Sequence, residues 1–128
     1  MDDDISKEQK DSISARMKGS IAEKIAESFL HTQGFEILEK NYRYDKGEID
    51  IIARDGEVLV FIEVKSKLSD SGGRPEDEVH ARKQSQIRRI AEGYLLEHGI
   101  RDVSCRCDVV AIVGDEKKHV IRYYKDAF

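Results

Sequence analysis

Residues 47–67, GEIDIIARDGEVLVFIEVKSK, set carboxylates and a lysine where an apolar strand would otherwise run on. Side chains alternate faces along an extended strand, so Glu63 and Lys65 point the same way, roughly 6–7 Å apart along the chain. Val60, Ile62 and Val64 point the other way, into apolar packing. Charged groups rarely stand in so hydrophobic a strand without a partner or a task. The segment before it offers Glu48 and Asp50, also two apart and so on one face. A tight turn at Asp55-Gly56 pairs the two strands antiparallel and sets Asp50 opposite about Val60 to Phe61. Asp50, Glu63 and Lys65 then reach one site if the strands splay or twist there. Hard oxygen ligands with few protein contacts suit Mg²⁺ or Mn²⁺, which keep several waters for a phosphate substrate. Such a metal polarises a phosphoryl oxygen and lowers the pKa of a bound water. Lys65 orients that water or stabilises the developing negative charge. The bland alternative is an exposed Glu63–Lys65 ion pair on an edge strand, worth little energetically.

The elements that must position these groups follow from periodicity. Ile21, Ala22, Ile25, Ala26, Phe29 and Leu30 recur at helical steps, predicting a helix from about Ser12 to Gln33, stopped by Gly34. Three strands are expected next: Phe35–Tyr44, Glu48–Arg54 and Glu57–Lys67. Ser69–Pro75, rich in Ser, Asp and Gly, reads as a mobile flap. A second helix is predicted over Glu76–Glu97, with Val79, Ile87, Ile90, Ala91, Tyr94 and Leu95 as its inner stripe. Val103–Val113 and His119–Tyr124 read as the last strands. The order α-β-β-β-α-β-β, with a long helix between strands, predicts an α/β fold whose mixed sheet is flanked by helices. Residues 1–11 are polar and read as a flexible segment, leaving 12–128 as a single domain.

Composition narrows the field. The 128 residues suffice for one core, and 38% of them are charged. No apolar run approaches the roughly 18 residues of a membrane span, and the acidic start MDDDISKEQK is unlike a signal peptide, so the cytoplasm is the expected location. The net charge of −4 argues against a general nucleic-acid coat protein, yet a carboxylate-rich metal site and local basic patches are compatible with a nuclease. Cys105 and Cys107 are too few for a disulfide framework or a zinc site and read as buried small hydrophobes. His31, His80, His98 and His119 are scattered, without metal-ligand spacing.

The spacing Asp50-(x)12-Glu63-x-Lys65 resembles the PD-(D/E)xK signature of restriction-endonuclease-like nucleases, with Ile49-Asp50 in place of Pro-Asp. More closely, the chain resembles the YraN-like family of bacterial proteins, which are similar to archaeal Holliday junction resolvases. The resemblance runs from about Gly19 to Val113. Its carriers are Gly19-x-x-Ala22-Glu23-x-x-Ala26, Gly34-Phe35, Asn41-Tyr42-Arg43, Gly47-Glu48-Ile49-Asp50, Phe61-Ile62-Glu63-Val64-Lys65, Lys83 and Arg106-Cys107-Asp108-Val109-Val110. Family members more often carry Phe where Cys107 stands. The resemblance implies a restriction-endonuclease-like fold and a Mg²⁺- or Mn²⁺-dependent endonuclease acting on branched or damaged DNA. It carries Asp50, Glu63 and Lys65 onto metal-binding and catalytic positions. Glu23 matches the first-helix carboxylate that completes the metal site of resolvases. Likeness to resolvases also suggests a twofold homodimer, since symmetric cutting of a junction needs two sites.

Each reading has a competitor. Ser20-x-x-Glu23 has the spacing of a capping box, in which Glu23 only closes a helix start. Arg82, Lys83, Arg88 and Arg89 form a basic cluster that is either a solvated face or a phosphate contact, with Lys83 and Arg82 favoured. Arg43, with Tyr42 and Tyr44, either meets nucleic acid or serves the strand. Asp108 fits an internal ion pair better than a metal ligand. The alternative function is a non-catalytic nuclease-fold module that binds branched or single-stranded nucleic acid, or a partner subunit.

Overall fold

The computed structural model describes residues 17–69 and 79–128. The expectations for the flexible segment over 1–11, for helix over 12–16 and 76–78, and for the flap beyond Ser69 lie outside the described residues. The elements are α1 (Gly19–Thr32), β1 (Glu36–Tyr44), β2 (Gly47–Asp55), β3 (Val58–Lys67), α2 (Ala81–Glu97), β4 (Cys105–Gly114) and β5 (His119–Tyr124). Both helices start later than periodicity suggested. Met17 and Lys18 precede α1, and Val79 and His80 precede α2, although Val79 is buried all the same.

The five strands lie in the order β1-β2-β3-β4-β5, with β3 and β4 parallel and all other pairs antiparallel. The chain crosses from β3 to β4 through α2, the long connection that a parallel pair requires. Helix α1 covers one face: Ala22, Ala26 and Leu30 pack on Ile51, Val60, Ile62, Val110 and Ile112. Helix α2 covers the other, with Ile87, Ile90 and Tyr94 against Ile49, Ile52, Phe61 and Val109. Strands β3 and β4 are therefore buried on both sides, which explains their near-continuous apolar runs. Glu63 stands in the central strand of the sheet, so the edge-strand reading of its charge falls.

Asp108 is fully buried and is the internal partner expected of it. It accepts hydrogen bonds from Arg106 Nε at 3.1 Å, the Asp126 N–H at 2.7 Å and the Tyr123 hydroxyl. Arg106 also reaches Asp55 at 2.8 Å, pinning the β2–β3 turn to β4. Cys107 is buried, and burial pushes its thiol up to about 11. Cys105 corrects the expectation for the pair. It shares the face of Cys107, but as the first residue of β4 it is exposed.

Candidate active site

The β2–β3 turn determines what faces what. Its central residues are Gly56 and Glu57, because Asp55 pairs with Val58. Gly56 takes φ +63° at the first central position, where a II′ hairpin turn calls for glycine. The expected turn at Asp55-Gly56 was one residue early, and the opposition of Asp50 to Val60–Phe61 is corrected accordingly. Ile51 pairs with Ile62, so the next step of the register brings Asp50 level with Glu63.

There the sheet forks. Pairing of β2 with β3 ends at Ile51–Ile62, while β1 and β2 continue together to Tyr44–Gly47 and β3 continues along β4 to Lys67–Val113. Ile49 packs on the α2 side and Ile51 on the α1 side, although residues two apart in a regular strand share a face. Strand β1 rolls at the same level. Lys40 pairs with Glu27 of α1 at 3.4 Å, whereas Tyr42 packs edge-on against Tyr94 of α2. Between them Asn41 takes φ +54°, a conformation that asparagine tolerates better than most residues. Asp50 therefore sits at the roll, and its Oδ2 accepts a hydrogen bond of 2.8 Å from the Val64 N–H. That contact holds the β2 carboxylate against β3 just where the ladder between them has ended.

The rolled hairpin tip is clasped to α2. Arg89 pairs with Asp45 at 3.8 Å, and the Tyr42 hydroxyl donates to Glu97. A Cβ at Gly47 would fall 2.4 Å from the Ile90 Cδ1, so any larger residue there makes Ile90 shift, and glycine lets the strand lie this close to the helix. Tyr42 and Tyr44 thus serve the hairpin, the structural reading of the two. Arg43 is exposed and lies 4.0 Å from Glu48.

Glu63 is 6% exposed. Its carboxyl is pushed up to about 7, first by burial and next by the Asp50 charge, with Lys83 and Lys65 pulling it back. Its ion-pair partner is Lys83 of α2, at 3.7 Å. Lys65, half-buried on β3, acts on Glu63 from farther away, so the two do not form the simple pair of the bland reading. Glu23, half-buried on α1, also has a raised carboxyl, through burial and then the charges of Asp50 and Glu48. The N-cap of α1 is Lys18, so Ser20-x-x-Glu23 lies inside the helix and the capping-box reading fails. Structure thus brings Asp50, Glu63, Lys65 and Lys83 together, with Glu23 on the α1 side of Asp50. Among the described residues no three His, Cys, Asp or Glu side chains form a ready ligand set.

The donors present fit a hard divalent cation. Glu63 Oε1 is buried with no hydrogen-bond partner, and leaving such an oxygen unpaired costs roughly 1–3 kcal/mol or more. It belongs to one of two adjacent carboxylates, the chemistry that Mg²⁺ and Mn²⁺ favour when most of their shell comes from water and substrate.

Beside this pair, His80, Arg82, Lys83, Ser85, Gln86 and Arg89 line a cavity of about 510 Å³. The expected basic cluster is divided by helical geometry. Arg82, Gln86 and Arg89 fall on one face at i, i+4 and i+7, whereas Arg88 turns away and lies over the Phe128 ring, 5.7 Å from its centroid. The Lys83–Glu63 pairing is a feature of the site that pattern reading missed. Helical phase set Lys83 at the margin of the basic face, but nothing in the sequence said which carboxylate it would meet.

Residues 22–112 match the model of the uncharacterised protein family UPF0102. A UPF0102 protein of Moorella thermoacetica is 44% identical over 115 residues, covering 88% of this chain and 96% of the relative. One of Chlorobaculum parvum is 47% identical over 110 residues, 84% of each chain. One of Acetivibrio thermocellus is 45% identical over 103 residues, 80% of this chain and 79% of the relative. No helix among the described residues is long and apolar enough to cross a membrane. The motifs around Asp50, Glu63 and Val110 fall within the matched span, as does the first from Ala22 onward, and the chain belongs to the UPF0102 family, the YraN-like proteins.

Proposed function

We propose that the protein is a divalent-metal-dependent DNA endonuclease, resolvase-like in its preference for branched DNA. The observation that carries this reading is the buried, unpartnered oxygen of Glu63 beside Asp50, at the point where the sheet forks, with Lys65 and Lys83 close by. Asp50 and Glu63 would hold Mg²⁺ or Mn²⁺, and Glu23 lies on the side from which a further carboxylate could assist. A cation bound there supplies Lewis acidity to a phosphodiester and acidifies water. Lys65 shares the face of Glu63, orients the attacking water and opposes the charge that develops on the non-bridging oxygens. In hydrolysis the water oxygen bonds to phosphorus as the bond to the leaving oxygen breaks. The basic cavity on α2 offers Arg82 and Lys83 to the backbone of the strand, and Arg43 is exposed for the same purpose. The choice of DNA, and of branched DNA, rests on the likeness to resolvases. A binding module without cleavage is the second reading, favoured by the net charge of −4 and the lack of a ready three-ligand set among the described residues.

Thermal melting tests the metal. Mn²⁺ or Mg²⁺ binds only the native state and is expected to raise the melting temperature by several degrees. Asp50→Asn is expected to abolish that rise, and a variant that responds like the parent removes Asp50 from the site. Assembly has its own test. Light scattering with and without a four-way DNA junction is expected to report a homodimer in at least one condition. A monomer in both removes symmetric junction cutting while leaving nicking of one strand.

A further inference from the structure

Lys83 belongs to two places at once. Its ammonium is 3.7 Å from Glu63 Oε2, and its side chain also lines the cavity with Arg82, Gln86 and Arg89. The lysine nearest Glu63 in the chain, Lys65, does not make that pair. We propose that Lys83 is the resident counter-cation of the carboxylate site: it neutralises Glu63 while no metal is bound, and turns into the cavity to grip a substrate phosphate once a divalent cation has taken its place. This rests on the metal-nuclease reading.

Three observations carry the exchange. A buried carboxylate next to a second carboxylate is costly unless a positive charge compensates it, and among the described residues Lys83 is the cation within ion-pair distance. The pair is loose. At 3.7 Å it exceeds the roughly 2.7–2.9 Å of a charge-assisted hydrogen bond, and Glu63 Oε1 stays unpartnered, so Lys83 offsets charge without completing the carboxylate's coordination. Lysine is also the residue for the task, a compact charge on a flexible four-carbon stem, and Lys83 is 32% exposed, anchored on the first turn of a well-packed helix at the rim of the cavity. A dication on Glu63 repels the ammonium, and the neighbouring space that it can enter already suits an anion. Metal and strand therefore help each other to bind, reciprocally, as linkage requires.

Calorimetric titration of Mn²⁺ into the parent, Lys83→Met and Lys83→Gln tests the first half. Both variants are expected to bind Mn²⁺ about tenfold more tightly, since no ammonium has to be displaced, and to melt lower than the parent in EDTA. Lys83→Arg keeps the charge and is expected to stay close to the parent. Fluorescence anisotropy of a single-stranded oligonucleotide tests the second half, in a Lys65→Met background so that cutting is slowed. Mn²⁺ is expected to tighten strand binding at least about fivefold while Lys83 is present, and far less once Lys83→Met is added to that background. Equal tightening with and without Lys83 overturns the grip on the phosphate. Equal or weaker Mn²⁺ affinity in both neutral variants overturns the exchange alone. Absence of Mn²⁺ binding by the parent and every variant overturns the metal site and the exchange with it.

Discussion

Lys65→Met is expected to cleave branched DNA on the order of a hundredfold more slowly than the parent, or worse, while folding and binding Mn²⁺ almost normally. The separation of effects follows from the geometry. Glu63 draws its ion pair from Lys83, so removing Lys65 does not strip the buried carboxylate of its neighbour. Lys65 is half-buried at the open end of β3, beyond the last pair with β2, where the loss of a partly solvated charge costs under about 1 kcal/mol of stability. What the proposed mechanism asks of it is different in kind: a positive charge, fixed by the strand, on the face that carries Glu63. Arginine is a poor substitute, because its planar fork does not reproduce a compact ammonium. The assay uses labelled four-way, flap and single-stranded DNA, in Mg²⁺ and then in Mn²⁺. Equal cleavage by parent and variant sinks the catalytic role of Lys65. No cleavage by the parent on any substrate moves the reading to the binding module.

Much of this site was legible because its parts are local. Alternation along β3 separated Glu63 and Lys65 from Val60, Ile62 and Val64, and those three pack in the α1-side cluster, which holds neither Glu63 nor Lys65. The bounds of β5 and the inner stripe of α2 followed from periodicity and turn residues alone. What stayed hidden depends on single-residue choices that propensity does not resolve. Starting the β2–β3 turn at Gly56 instead of Asp55 moves every cross-strand partner along, and it is this move that brings Asp50 level with Glu63. The roll at Asn41 and Asp50 could not be foreseen from β2, whose residues Ile49, Ile51 and Ile52 are apolar on either phase. Lys83 meets Glu63 across a crossover of many residues, a contact set by how α2 lies on the sheet. Ser20 stands before Glu23 at capping-box spacing, a competitor to its site role that an earlier helix start argued against, and the observed cap at Lys18 removes it.

Glu63→Gln is expected to make the metal-free protein more stable at pH 8, by up to on the order of 3 kcal/mol, and to change it little near pH 4. The sign follows from the direction of the shift. The Glu63 carboxyl is raised from 4.5 to about 7 in the folded protein, so the native state holds this proton more tightly than the unfolded chain does. Between those values the unfolded state loses its proton first, and stability drains away as pH rises from about 4.5 through about 7. Below that window both states are protonated and Glu63 costs nothing by ionising. Above it the full penalty of a charge buried next to Asp50 is present, and the pull of Lys83 and Lys65 is already counted within the net shift. Glutamine has the shape of the protonated acid and never ionises, so it escapes the penalty. Urea unfolding in EDTA at pH 4, 6 and 8 measures the difference between parent and variant, which is expected to widen across the series. A divalent cation is then expected to reverse the order, because on the proposed metal reading the parent alone gains from it. Parent and variant that unfold alike at pH 8 in EDTA would show that Glu63 carries no burial penalty. A variant stabilised by Mn²⁺ as strongly as the parent would show that Glu63 does not hold the metal.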